Sequence, residues 1–243
     1  MEVVPDNLKN PKIVTSMINV GPDMTFEVDH CGDGEHLAIC LHGFPEHSFS
    51  WRYQLPMLAK LGFTAWAPNL RGYGNTSRPS AVKDYSLSAL IEDVAQLIIA
   101  SGKKKVTLIG HDWGGFIAWE FAIINRLPLE RLIVCNCPHP RSFFDAFGWS
   151  QLRKSWYMFF FQVPWIPEYF SGLKKGLAIG KIFEKTNRNS GAFPPEVVAV
   201  YRRNASQPGA LKAMINFYRG WRYGYLERER KWRNGLFEPI TTP

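Results

Sequence analysis

The stretch from Val106 to Ala122 constrains the fold more than any other part of the chain. Val106-Thr107-Leu108-Ile109 reads as a buried parallel strand, and Gly114-Gly115-Phe116-Ile117-Ala118-Trp119-Glu120-Phe121-Ala122 as the opening of a helix. Only Gly110-His111-Asp112-Trp113 separate the two. A sharp strand-to-helix turn is what fits there, and Gly110, Gly114 and Gly115 stand where strand and helix pass too closely for a Cβ. Such a turn lifts its central residue, here Asp112, above the carboxyl edge of an α/β sheet. An Asp at this place could instead be a plain helix N-cap, but the glycines around it favour the strained turn.

A carboxylate presented in this way is a nucleophile. It attacks an sp³ carbon by displacement and leaves an alkyl ester, which suits opening an epoxide or expelling a halide.

At 243 residues the chain can hold one α/β domain with a sizeable insertion. With 46% apolar and 21% charged residues it reads as globular, and no run approaches the 18 apolar residues of a membrane span. The start, Met1-Glu2-Val3-Val4-Pro5-Asp6, lacks the basic and apolar regions of a secretory signal. Cys31, Cys40, Cys135 and Cys137 have neither disulfide nor metal spacing and read as reduced packing residues. A cytoplasmic location is expected. The net charge of +8 is uneven: residues 141–235 carry 17 Lys/Arg against 6 Asp/Glu. The Arg-Glu alternation over Glu227-Arg228-Glu229-Arg230-Lys231 reads as a solvated helix face. No nucleic-acid motif accompanies the charge, so neither nucleic acid nor a membrane is expected as a partner.

Hydrophobic periodicity predicts antiparallel strands over Ile13–Val20 and Met24–Val28, joined by a turn at Gly21-Pro22-Asp23. A buried strand over Leu37–Leu41 delivers His42-Gly43-Phe44-Pro45. An amphipathic helix over Phe49–Leu61 stops at Gly62, a strand follows over Phe63–Pro68, and a helix runs from about Ser86 to Ala100. After a strand over Leu129–Cys135 the texture changes. Residues 141–235 hold 21 of the 35 aromatics, with proline breaks and no alternation, and read as a helical insertion over the carboxyl edge of the sheet, where open α/β sheets bind ligands.

With the elbow at Asp112, His42-Gly43-Phe44-Pro45 and Arg71-Gly72-Tyr73-Gly74 in this order and spacing, the chain resembles the α/β-hydrolase superfamily, and within it the epoxide hydrolases. The likeness runs from about residue 12 to the end. It implies an α/β-hydrolase fold, a mostly parallel sheet flanked by helices: core over 1–138, helical cap over 139–235, and the start of a further core segment over 236–243. It implies that the backbone N–H groups of Phe44 and Trp113 form an oxyanion hole, with Pro45 in a tight, often cis, turn. Gly43, Gly110 and Gly114 keep the motif compact, and His42 holds the loop without moving protons. It also implies that two cap tyrosines, Tyr157 in Ser155-Trp156-Tyr157-Met158-Phe159 and Tyr218 in Asn216-Phe217-Tyr218-Arg219, donate to the epoxide oxygen as it gains charge. The reaction so implied turns a small apolar or aromatic epoxide and water into a vicinal diol, with no metal and no organic cofactor.

The alternatives within the fold are haloalkane and haloacid dehalogenases. The former commonly place Asn where Phe44 stands and the fluoroacetate type places Arg where Trp113 stands; this chain has neither, although Trp113 is compatible with halide binding. Ester hydrolysis needs a His held by an acid. The position after the Cys135 strand is Asn136, and all six histidines (30, 36, 42, 47, 111, 139) precede the helical insertion, His139 in its hinge. The expectation is a chain that stops short of the acid and the base, or a non-catalytic homologue that binds hydrophobic ligands.

Overall fold

The computed structural model describes residues 11–145, 148, 153, 155–186, 191–224, 230 and 240–243. Strands β1 (Val14–Gly21), β2 (Met24–Cys31), β3 (His36–Leu41), β4 (Phe63–Pro68), β5 (Lys105–His111) and β6 (Arg131–Cys135) form one sheet in the order β1-β2-β4-β3-β5-β6. β1 and β2 pair antiparallel, as does β2 with β4; the remaining pairs are parallel. The expected mostly parallel α/β sheet is therefore present, and its strands match the predicted ones to within a few residues. The Glu227–Lys231 alternation lies outside the described residues apart from Arg230.

The side-chain period of two divides β3 between two cores. Leu37, Ile39 and Leu41 join the cluster that packs on α2 (Leu87–Ala100) and α3 (Trp113–Ile123), while Ala38 and Cys40 join the one under α1 (Gln54–Lys60). Both faces of the strand are buried, which is why it reads as an unbroken apolar run. In α2 the buried positions Leu87, Leu90, Ile91, Val94, Ala95, Leu97 and Ile98 follow the helical stripe.

The single helix expected over Phe49–Leu61 is instead a 3₁₀ turn at Ser48–Trp51 followed by α1. Pro56 explains the break. It cannot donate to the carbonyl of Arg52 and its ring collides there, so the helix restarts with Pro56 in its first turn, where no donor is missed.

Beyond β6 the described elements are all helical: α4 (Pro140–Asp145), α5 (Trp156–Phe160), α6 (Ile166–Thr186), α7 (Pro195–Ala205) and α8 (Ala210–Gly220). α8 is buried along most of its length and runs against the Val82–Tyr85 turn. No described helix is long and apolar enough to cross a membrane. β6 forms one edge of the sheet; there the N–H of Leu132 donates to the carbonyl of Pro243 at 2.9 Å, and Ile133 is exposed. The four cysteines are free thiols.

Candidate active site

β3 and β5 are parallel neighbours with Leu41 opposite Gly110, so the loops that leave their carboxyl ends start side by side. That register brings Phe44 and Asp112, 68 positions apart, into contact: the Phe44 N–H donates to Asp112 Oδ1 at 2.8 Å. Asp112 has φ 51° and ψ −118° at the head of α3, and its side chain makes no capping bond to its own helix. The N-cap alternative therefore fails. An L-residue held in this sparsely populated conformation needs its surroundings to enforce it.

Those surroundings are tight. A Cβ on Gly114 would overlap the carbonyls of Leu41 and His42, and one on Gly110 would overlap the backbone of Gly114. A Cβ on Gly43 would lie 2.5 Å from the Asp112 Cβ and 2.7 Å from Oδ1. The Phe44–Pro45 peptide is cis, as the tight turn led us to expect.

His42 is fully buried, with Nε2 accepting the N–H of Leu70 at 3.0 Å and Nδ1 2.9 Å from the Gly43 carbonyl. One nitrogen must accept and the other must donate, so the ring is a neutral strut between two loops. Burial pushes its pKa down to about 4.

The Asp112 carboxyl is held above the ordinary carboxylate range by burial, against hydrogen bonds from the Phe44 and Trp113 amides that favour its charge. Sequence reasoning did not find the ion pair beside it. Glu46 Oε2 lies 3.1 Å from His111 Nδ1 and 3.3 Å from the Gly43 N–H. Burial would raise Glu46, but its hydrogen bond to His111 and that ring's charge outweigh this and lower it; the same hydrogen bond raises His111. The two residues are 65 positions apart, and only the adjacency of the β3 and β5 loops joins them.

Above the carboxylate lies a wall of aromatic rings. Tyr218 on α8 is buried, with ring centroids 5.0 Å from Trp113, 5.3 Å from Phe44 and 4.9 Å from Phe161. Tyr157 on α5 packs edge-on to Tyr218 at 6.0 Å. Burial raises both phenols, and the charge of Asp112 raises them further, so both stay protonated and able to donate.

Arg219, one residue on from Tyr218, fixes α5 to α8. It donates to the carbonyls of Phe161 (2.8 Å) and Val163 (2.6 Å) and pairs with Glu168 at 2.5 Å. Gln162 adds a bond to the Tyr218 carbonyl at 3.0 Å. These bonds, also missed in the sequence, set the spacing of the two tyrosines.

The other histidines are committed elsewhere. His30 is 2.9 Å from the Ser16 hydroxyl and His36 3.0 Å from that of Thr107. His47 Nδ1 accepts the Phe49 N–H at 3.3 Å, and His139 stacks edge-on against Trp119 at 5.1 Å. No cluster of possible metal ligands occurs among the described residues.

The profile of the alpha/beta hydrolase fold family matches residues 39–203, a span that contains the elbow and its partner loop. Epoxide hydrolase 2 of Caenorhabditis elegans is 38% identical over 192 residues, covering 77% of this chain and 54% of that protein. Human epoxide hydrolase 4 is 40% identical, covering 76% and 53%. Among solved structures, an epoxide hydrolase from Bacillus megaterium superposes with a TM-score of 0.75 at 30% identity, covering 84% of this chain and 71% of its own. The chain thus spans about half the length of the curated relatives it matches. The strained Asp elbow, the loop that grips it and these likenesses agree that the chain belongs to the epoxide hydrolases of the α/β-hydrolase family.

Proposed function

We propose that this protein opens epoxides through an ester on Asp112. The observation that carries the reading is the Asp112 carboxylate itself: half-buried, making no side-chain cap on its helix, with one oxygen held 2.8 Å from the Phe44 N–H beside the paired rings of Tyr157 and Tyr218. The second carboxylate oxygen attacks a ring carbon of the epoxide. The C–O bond breaks, and the oxygen takes its proton from Tyr157 or Tyr218, which burial and the Asp112 charge keep protonated and so able to donate. The product of this step is a β-hydroxyalkyl ester of Asp112.

In the second half of the reaction, water adds to the ester carbonyl. The resulting oxyanion sits in the place now taken by Oδ1, facing the Phe44 and Trp113 amides. Preorganised donors of this kind are worth about 3–4 kcal/mol each. Collapse of the adduct releases the diol and restores the carboxylate. This half needs a base; His30, His36, His42, His47 and His139 are taken up by the bonds and contacts described above, and His111 is held by Glu46. We infer that none of them reaches the ester, so that residues 1–243 perform the first half only. The core over 1–138, the cap over 139–235 and a cytoplasmic location belong to the same reading.

The aromatic lining over Asp112 supports a largely apolar or aromatic epoxide as substrate. The related enzyme from Bacillus megaterium was solved with a naphthyloxy-propanediol product. The test is intact mass after incubation with an aryl epoxide: one substrate mass added, mapped to Asp112. An adduct formed from an alkyl halide, with epoxides inert, would instead establish the dehalogenase reading that Trp113 permits.

A further inference from the structure

Tyr218 stands between two unlike aromatic walls. On one side it packs edge-on to Trp113, with ring centroids 5.0 Å apart, and Trp113 is backed by Phe116 and Phe217, each 5.7 Å away. Phe217 is fully buried in the main core, so this wall cannot retreat. On the other side is Phe161. Its ring closes a triangle with Phe44 at 5.5 Å and Tyr218 at 4.9 Å, while Phe44 and Tyr218 are 5.3 Å apart. It also lies 5.9 Å from the ring of Tyr157.

Phe161 therefore touches the residue that grips Asp112 and both phenols, yet it carries no group able to take part in the chemistry. Its main chain is fixed. Its N–H donates to the Tyr157 carbonyl at 2.9 Å, and its own carbonyl accepts from Arg219 Nε at 2.8 Å. Behind the ring the packing is thin: Phe161 shares a small cluster with Ile215 and Tyr218, apart from the main core, and its neighbours Met158 and Phe160 are only partly buried. This wall is held in place by its backbone but is one side chain deep.

We propose that Phe161 is a specificity-determining residue, its ring setting the largest substituent an epoxide can carry and still present a ring carbon to Asp112. A slim apolar substituent shares the space with this ring, and a fused-ring one competes with it. The inference rests on the reading of Asp112 as the nucleophile and names the feature of the substrate that the site measures. An apolar pocket discriminates by about 10- to 200-fold for a single methylene, so loss of a whole phenyl group should be plain in the rates.

The test is the rate of Asp112 adduct formation, by intact mass, with the oxides of propene, styrene and 2-vinylnaphthalene, in which only the bulk of one substituent changes. Phe161→Ala should raise the rate with the naphthyl epoxide relative to the methyl one by about tenfold or more. Phe161→Trp should lower the same ratio. Phe161→Leu is the gentler variant where alanine weakens folding, and its ratio should fall between those of the parent and Phe161→Ala. Phe170→Ala, which trims an exposed ring on the next helix, should leave the ratio unchanged. A ratio that Phe161→Ala does not move overturns the proposal. So does an equal fall of all three rates, which would show that the ring only braces the tyrosines. Binding of the three corresponding diols separates this from a failure of the Asp112 reading, because it needs no nucleophile. Their dissociation constants, from titration calorimetry, should shift in the same direction with Phe161→Ala in a chain that forms no adduct; diol affinities indifferent to residue 161 overturn the proposal by themselves.

Discussion

Gly43→Ala tests how Asp112 is held. The added Cβ would lie 2.5 Å from the Asp112 Cβ, 2.7 Å from Oδ1 and 3.0 Å from Cγ. Carbon atoms prefer about 3.5–4.0 Å, so about an ångström must be opened between the two loops. The β3 loop cannot yield easily, because His42 pins it to Leu70. The elbow is equally confined, because Gly114 rests on the Leu41 and His42 carbonyls. Relief therefore comes from shifting the carboxylate off the Phe44 N–H. Overpacking of this kind costs about 1–3 kcal/mol of stability. Misplacing the attacking carboxylate by about an ångström costs about 100-fold in the rate of alkylation. The assay is the time course of adduct formation with an aryl epoxide, followed by intact mass, beside a thermal melt of the same sample. Gly21→Ala, which adds a Cβ with nothing within 4 Å, is the control and should change the rate little. An alanine variant at 43 that alkylates within about threefold of the parent would show that this close approach does not position the nucleophile, since a misplacement of about an ångström costs far more.

Further outcomes follow from the same contacts. His42 has a folded pKa of about 4 against a free value of 6.5, so the unfolded chain takes up its proton first. The resulting stability is full above pH 6.5 and is lost as pH falls towards 4, by roughly 3 kcal/mol at the limit; melts across that range should show the loss, and His42→Gln should flatten it. Arg219→Ala strands Glu168 and two carbonyls, and should cost about 3–5 kcal/mol while opening the 156–170 segment to limited proteolysis; unchanged melting and cleavage would contradict the clamp. Among the described residues β6 is an edge strand, bonded at Leu132 to the Pro243 carbonyl and with Ile133 exposed, so the chain alone should associate at modest concentration; a monodisperse monomer in light scattering would refute that.

What the sequence disclosed, and what it did not, follows the range of the interactions involved. β3 and β5 were legible because burial on both faces demands a continuous apolar run. The elbow was legible because close approach demands glycine at fixed offsets. Pro56 carried the signal for the broken helix over Phe49–Leu61, yet the apolar periodicity on either side of it outweighed that signal in the reading. The Glu46–His111 pair and the Arg219 clamp left no local trace. Each joins residues more than 50 positions apart, and neither spacing nor periodicity encodes a meeting made by strand register or by one helix crossing another. The aromatic wall over Asp112 was visible as composition, since residues 141–235 are rich in aromatic residues, but which of those rings meet Tyr218 is set by how α5 packs against α8, which no local pattern encodes.

The central claim, that Asp112 is a nucleophile towards epoxides and needs no histidine for its first step, is tested most directly by peptide mass spectrometry of the chain after exposure to an aryl epoxide. One adduct of the substrate's mass is predicted on Asp112. It should be absent in Asp112→Ala, slowed by orders of magnitude when Tyr157 and Tyr218 are both replaced by Phe, and slower as pH falls through the raised pKa of Asp112. A folded chain that leaves Asp112 unlabelled while it binds the epoxide reversibly would contradict the account.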